Sequence, residues 1–329
     1  MVLTSTLLSQ FAVGAVALYT LITAAERAID AFLSLARYYQ VPDVLIGMTV
    51  IAIGTSLPEI TAHLIASIGI LSGALDYQVT SAVVIGGNMG SSTLQQTLLF
   101  GLFIVGFGQL QLSQSIIRDS YLPMLLAFAL TFVVAVDGSI SRFDGIVLLV
   151  AYGAYTYYHY RHRRRDYAVP ETASVNVRRD ALIGGVALLL VVLAATLLLA
   201  VAEVVVDTLA LGGSIVGVIT LGVAAALPEL STVMDAIRRR APDIALGTLI
   251  GSNIVNPLIG LGLGGTISTY FVPFPVIAWD LPFKLAVGVG LYAYIRYGSN
   301  RTLSRREGGY LMILYFVFVV TRLLLFPGQ

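Results

Sequence analysis

Gly54-Thr55-Ser56-Leu57-Pro58-Glu59 and Ala224-Ala225-Ala226-Leu227-Pro228-Glu229 are the two stretches that decide how this chain folds. Both end on Leu-Pro-Glu, and the match runs upstream, Ile46-Gly47 aligning with Val216-Gly217 at the same offset of 170. A second pair follows each. Gly86-Gly87-Asn88-Met89-Gly90-Ser91 stands over Gly247-Thr248-Leu249-Ile250-Gly251-Ser252 at an offset of 161, because the first half has a longer link around Gly69 to Tyr77. An earlier pair, Glu26 to Asp30 against Glu203 to Asp207, completes an internal repeat.

The residues around these motifs are apolar. Of 329 residues, 57% are hydrophobic and 11% charged, with a mean hydropathy of +0.89. Soluble chains carry about 25% charge, so a soluble globular protein is excluded. The apolar runs are continuous, not the short alternating segments of an outer-membrane barrel, and a helix needs about 20 such residues to cross a bilayer. An all-α polytopic membrane protein is therefore expected, with spans near residues 5–36, 43–72, 78–108, 120–137, 143–160, 180–208, 213–237, 243–267, 275–296 and 308–326. Leu7 to Ala25 precedes the first basic residue, Arg27, and so lacks the positive flank of a cleaved signal peptide; it is expected to be the first span.

Ten spans divide into repeats at 1–160 and 180–329 around a basic loop at 161–179. Five spans per repeat make the second enter the membrane from the opposite side. That inverted topology is the architecture of secondary transporters, whose sites lie near midplane on broken helices, here the second and seventh. Fifteen of the nineteen basic residues fall in alternate loops on one side, which predicts a cytoplasmic 161–179 loop, both termini outside and a multi-pass protein of the cell membrane. Arg142, Lys284 and Arg322 are assigned to the outer side, with Tyr270, Phe271, Phe274 and Trp279 as an aromatic belt.

Other classes fit poorly. There is no cysteine and no HExxH pair, and His63, His159 and His162 are too scattered for a zinc cluster, so an enzyme is not expected. A net charge of +1 gives no purchase on nucleic acid. A channel builds its filter from symmetric subunits instead of an inverted repeat in one chain. The expected partners are inorganic cations and the lipid bilayer, with no organic cofactor and a monomer as the functional unit.

Glu59 and Glu229 fall mid-span, where a carboxylate costs at least a few kcal/mol unless it faces a cavity, a cation or a proton. Pro58 and Pro228 lack an N–H and release the carbonyls of Gly54 and Ala224, which also need a partner. Ser91 with Gln95, and Ser252 with Asn256, are spaced i, i+4 and share a helix face. Gly86/Gly90 and Gly247/Gly251 have the spacing of close helix contacts. Together these groups make an all-oxygen shell suited to a hard cation such as Ca²⁺. His63, one turn beyond Glu59, is a candidate proton carrier, although its counterpart Val233 is apolar. Glu26, Arg27 and Asp30 read as a polar helix end, and Asp235 as an ion pair with Arg238 and Arg239.

Gly-Thr-Ser-Leu-Pro-Glu followed by a Gly-rich Gly-Ser segment, repeated in inverted form, resembles the alpha repeats of sodium/calcium exchangers in the calcium:cation antiporter superfamily. The resemblance covers about residues 44–96 and 213–256. It implies exchange of Ca²⁺ for Na⁺ by alternating access, with Thr55, Ser56, Glu59, Ser91, Gln95, Glu229, Ser252 and Asn256 around the ions. Ala224-Ala225-Ala226 departs from the pattern by removing two hydroxyls, and Gln95 replaces a shorter Asn or Asp. Sodium sites thereby lose ligands. The alternative is a Ca²⁺/H⁺ exchanger, or one for another divalent cation, using the same two glutamates.

Overall fold

The computed structural model describes residues 2–38, 52–163, 176–209, 212–240 and 242–327. Expectations for residues 43–51 of the second span, and for most of the 161–179 loop, lie outside the described residues. The chain is almost wholly helical. Helix α1 is Val2–Tyr38, and α2 runs from Ala52–Thr55 to Leu57–Ser72 across a break at Ser56. Helix α3 runs through Tyr77–Leu94, Gln95–Leu99 and Phe100–Phe107; α4 is Gln114–Ala135 and α5 Arg142–Arg163. In the second half α6 is Val177–Leu209, and α7 begins at Gly213–Val216 and ends as Leu227–Arg239, with a break at Ala226. Helix α8 comprises Pro242–Val255, Asn256–Leu261 and Gly262–Ser268; α9 is Val276–Gly298 and α10 Arg305–Leu325.

Among the described residues seven helical stretches are long and apolar enough to cross a bilayer, in α1, α4 and α6 to α10. Helix α3 falls outside that set because of its polar residues: it is buried along Thr80–Leu94, including Asn88, Ser91 and Ser92. A helix enclosed by protein can carry such side chains, whereas one facing lipid cannot. Its enclosure is tight. A Cβ at Gly90 would collide with the Val218 backbone of α7, and one at Gly217 of α7 would meet the Val83 carbonyl of α3. Gly86 and Gly90 therefore make the close helix contact that their spacing predicts. Gly247 makes no such contact, since a Cβ there would meet nothing within 4 Å.

Helices α1 and α6 pack on each other at the periphery through Leu21, Ala24, Ala25, Val191, Ala194 and Ala195. Small residues permit this approach where lipid offers no hydrophobic drive. Ser34 Oγ adds a 2.7 Å bond to Asp180 Oδ2. Glu26, Arg27 and Asp30 are exposed, and Glu203 accepts from Thr80 Oγ1 at 2.6 Å. The side chains of Asp235 and Arg239 lie outside the described residues.

Two short antiparallel ribbons tie the ends of the helices. Strand β1 (Gln109–Gln111) pairs with β4 (Thr302–Ser304), and β2 (Ser139–Ile140) with β3 (Tyr270–Phe271). Each ribbon joins a loop of one half to a loop of the other. After β4, Ser304 and Glu307 form a capping box that starts α10; after β2, Ser141 and Asp144 bond reciprocally, Ser141 N to Asp144 Oδ2 at 2.8 Å and Asp144 N to Ser141 Oγ at 3.2 Å.

Two charged residues assigned to the outer side are instead internal. Arg322 is fully buried, donating from Nε to Asp280 Oδ1 at 3.0 Å and from Nη2 to Ser214 Oγ at 2.6 Å, and Lys284 is buried on α9. Tyr270 does not join the aromatic belt either. It is buried, and its hydroxyl bonds to the His63 carbonyl at 2.9 Å, whereas Phe274 is exposed.

Candidate cation-binding site

The break in α2 falls at Ser56 (φ −89°, ψ 7°) and that in α7 at Ala226 (φ −82°, ψ −1°), two residues before each proline. Each helix restarts with leucine and proline in its first turn, where a proline costs no hydrogen bond. Glu59 and Glu229 occupy that same first turn. Unpaired N–H groups give such a helix start a partial positive charge, which favours a carboxylate there. The Leu-Pro-Glu sequence thus makes the break and places the acid on it.

All eight residues implied by the resemblance are buried; four of them, Glu59, Ser91, Gln95 and Asn256, share one hydrogen-bonded cluster, and Thr55 and Ser252 form a second pair. Glu59 Oε1 accepts from Ser91 Oγ of α3 at 2.7 Å and from Asn256 Nδ2 of α8 at 3.1 Å. Thr55 and Ser252 bond hydroxyl to hydroxyl at 3.0 Å, linking α2 to α8. Gln95 Nε2 donates to Ser91 Oγ at 3.0 Å, and its Oε1 accepts from Asn253 Nδ2 at 3.1 Å. The longer amide therefore spans α3 and α8, fixing its neighbours. Ser56 Oγ has no hydrogen-bond partner.

Glu59 Oε2 lacks a donor, as do both carboxylate oxygens of Glu229, which has Ser252 beside it. The side-chain oxygens of Asn253 and Asn256 also lack one. Buried polar atoms are almost always partnered, and acidic oxygens left without donors are costly. Two carboxylates among hydroxyl and amide oxygens can hold one divalent cation, or monovalent cations in its place. No group of three or more acid, histidine or cysteine side chains that could hold a metal occurs among the described residues, so this centre depends on neutral oxygens beyond its two acids.

Several participants escaped the sequence argument. Asn253 stands over Ser92 at the offset of 161 and was legible there. Asn88 donates to the Asn256 carbonyl at 2.8 Å and lies 3.2 Å from His63 Nε2. His63 Nδ1 is in turn 3.2 Å from the Tyr270 hydroxyl. His63 was singled out for its place one turn beyond Glu59, but nothing in the local sequence marks its links to Asn88 and Tyr270. Both α3 and α8 also widen into π-helical turns, Gln95–Leu99 and Asn256–Leu261, which begin at the last proposed ligand of each half. Such turns recur at functional sites.

The family described as sodium/calcium exchanger protein matches residues 9–161 and 181–324 of this chain. Inner membrane protein YrbG of Escherichia coli (strain K12) is 28% identical over 264 residues, covering 77% of this chain and 78% of that protein. A solved structure of the sodium-calcium exchanger NCX_Mj superposes with a TM-score of 0.64 at 23% identity, over 96% of this chain and 98% of its own. The H⁺/Ca²⁺ exchanger CAX superposes with a TM-score of 0.78 at 15% identity, over 97% and 82% respectively. At these identities the two structures establish the fold alone. With a family match over most of its length, the chain belongs to the sodium/calcium exchanger protein family and is a multi-pass membrane antiporter.

Proposed function

We propose that the protein exchanges Ca²⁺ for Na⁺ by alternating access at the cluster around Glu59 and Glu229. The observation that carries this reading is the set of three donorless carboxylate oxygens at two helix starts, enclosed by neutral oxygens. Their charge of −2 matches one Ca²⁺, and Na⁺ ions can replace it without unbalancing the centre. Thr55, Ser56, Ser91, Gln95, Ser252 and Asn256 complete or orient that shell in this reading. Ten spans in two inverted repeats, 1–160 and 180–329, frame it. The corresponding breaks, π-helical turns, ribbons and capping boxes of the two halves support that repeat.

Ca²⁺/H⁺ exchange by the same carboxylates is the second reading. Ala225 and Ala226 favour it, being buried where the first half has Thr55 and Ser56, so that the α7 side offers methyl groups in place of hydroxyls for Na⁺. The six family residues in order at 54–59 weigh toward sodium. Radioactive Ca²⁺ uptake into proteoliposomes preloaded with Na⁺ or with acid, each tested alone, separates the two. Uptake driven by Na⁺ is expected, and uptake driven only by acid would replace it with the second reading.

A further inference from the structure

Lys284 takes no part in the cation-binding cluster around Glu59 and Glu229. It is 1% exposed; Nζ donates to Ser92 Oγ at 2.7 Å and stands 3.7 Å from the centroid of the Phe128 ring on α4. Among the described residues no carboxylate pairs with it. Asp280, one turn back on α9, is engaged by Arg322, and Asp119 of α4 by Arg118. Tyr121, also on α4, donates to the Gly288 carbonyl. A buried ammonium without an anion is among the more expensive features of a membrane protein, and one that persists is a functional residue by default.

Its position gives it a role. Ser92 follows Ser91, whose hydroxyl lies on Glu59, and Ser92 Oγ donates onward to the Asn88 carbonyl at 2.6 Å. Asn88 then reaches Asn256. The ammonium is thus fixed against α3 through Ser92, the sequence neighbour of the serine that holds Glu59. We propose that Lys284 is a resident positive charge that sets the selectivity of the site between divalent and monovalent cations. This rests on the cation-exchange reading, but concerns a residue outside the binding cluster. Repulsion scales with the product of charges, so Lys284 opposes Ca²⁺ twice as strongly as it opposes each Na⁺. A change that multiplies Na⁺ affinity by some factor multiplies Ca²⁺ affinity by the square of that factor.

The test measures Ca²⁺ Kd in Na⁺-free buffer and the half-saturating Na⁺ concentration in Ca²⁺-free buffer, on purified full-length protein. Lys284→Gln keeps a donor for Ser92 while removing the charge, Lys284→Met removes both, and Lys284→Arg keeps the charge. Both neutral variants are expected to tighten Na⁺ binding by about threefold and Ca²⁺ binding by about tenfold, with Lys284→Arg near wild type. Equal shifts for the two ions, weaker binding of both, or an arginine variant that behaves like the neutral ones would overturn the proposal. So would loss of folded protein in both neutral variants, which assigns Lys284 to packing. Wild-type protein that binds neither ion refutes the exchange reading instead.

Discussion

Glu59 and Glu229 differ in their surroundings even though their backbone settings match. Glu59 is held by Ser91 and Asn256 through one oxygen, whereas neither oxygen of Glu229 has a donor. In the proposed mechanism Glu59 is the pre-oriented ligand and Glu229 the one that the ion itself orders. Glu59→Gln and Glu229→Gln keep side-chain volume while removing charge. Each is expected to lower Ca²⁺ affinity by at least about a hundredfold, near 2.7 kcal/mol, with the protein still monodisperse. Equilibrium binding of radioactive Ca²⁺ checks this, and wild-type affinity in either variant refutes the ligand role. The two acids were legible because Pro directly before Glu recurs in both halves. Tyr270 was not: proximity to aromatic neighbours in sequence gave no sign that its hydroxyl reaches back to Ser67 and His63 on α2.

At the scale of elements, the site depends on how closely α3 and α7 approach. Gly90 and Gly217 each lack room for a Cβ against the other helix. Gly90→Val is expected to cost about 1–3 kcal/mol and to lower the melting temperature, because the obstruction is backbone that cannot step aside. Gly247→Ala has open space and is expected to stay within about 0.5 kcal/mol of wild type. Thermal unfolding of the two variants in one detergent makes the comparison; equal losses would show that the crossing is not the tight one. The glycine spacing read from sequence is identical in the two halves, and only packing separates them. The π-helical turns at Gln95 and Asn256 were likewise hidden, since an added residue per turn follows from the partners a helix meets and not from its own composition. The capping boxes were visible as Ser141-x-x-Asp144 and Ser304-x-x-Glu307.

For the whole molecule, burial of Lys284 and Arg322 sharpens the charge asymmetry on which orientation rests, leaving Arg142 as the basic residue of the proposed outer surface. The 161–179 loop is then expected in the cytoplasm. A single cysteine introduced as Ala168→Cys should react with an impermeant maleimide only after cells are permeabilised; labelling of intact cells would invert the arrangement. The repeat was legible from two motifs, but the joining of its halves by β1 with β4 and β2 with β3 was not, because those strands are two or three residues long and lie in loops. The most direct measurement of the central claim is Ca²⁺ flux into proteoliposomes containing the purified protein. Vesicles loaded with Na⁺ in Na⁺-free medium should accumulate radioactive Ca²⁺, and a Na⁺ ionophore that collapses the gradient should abolish that uptake. Uptake that ignores the Na⁺ gradient, or that proceeds without any counter-ion gradient, would contradict it.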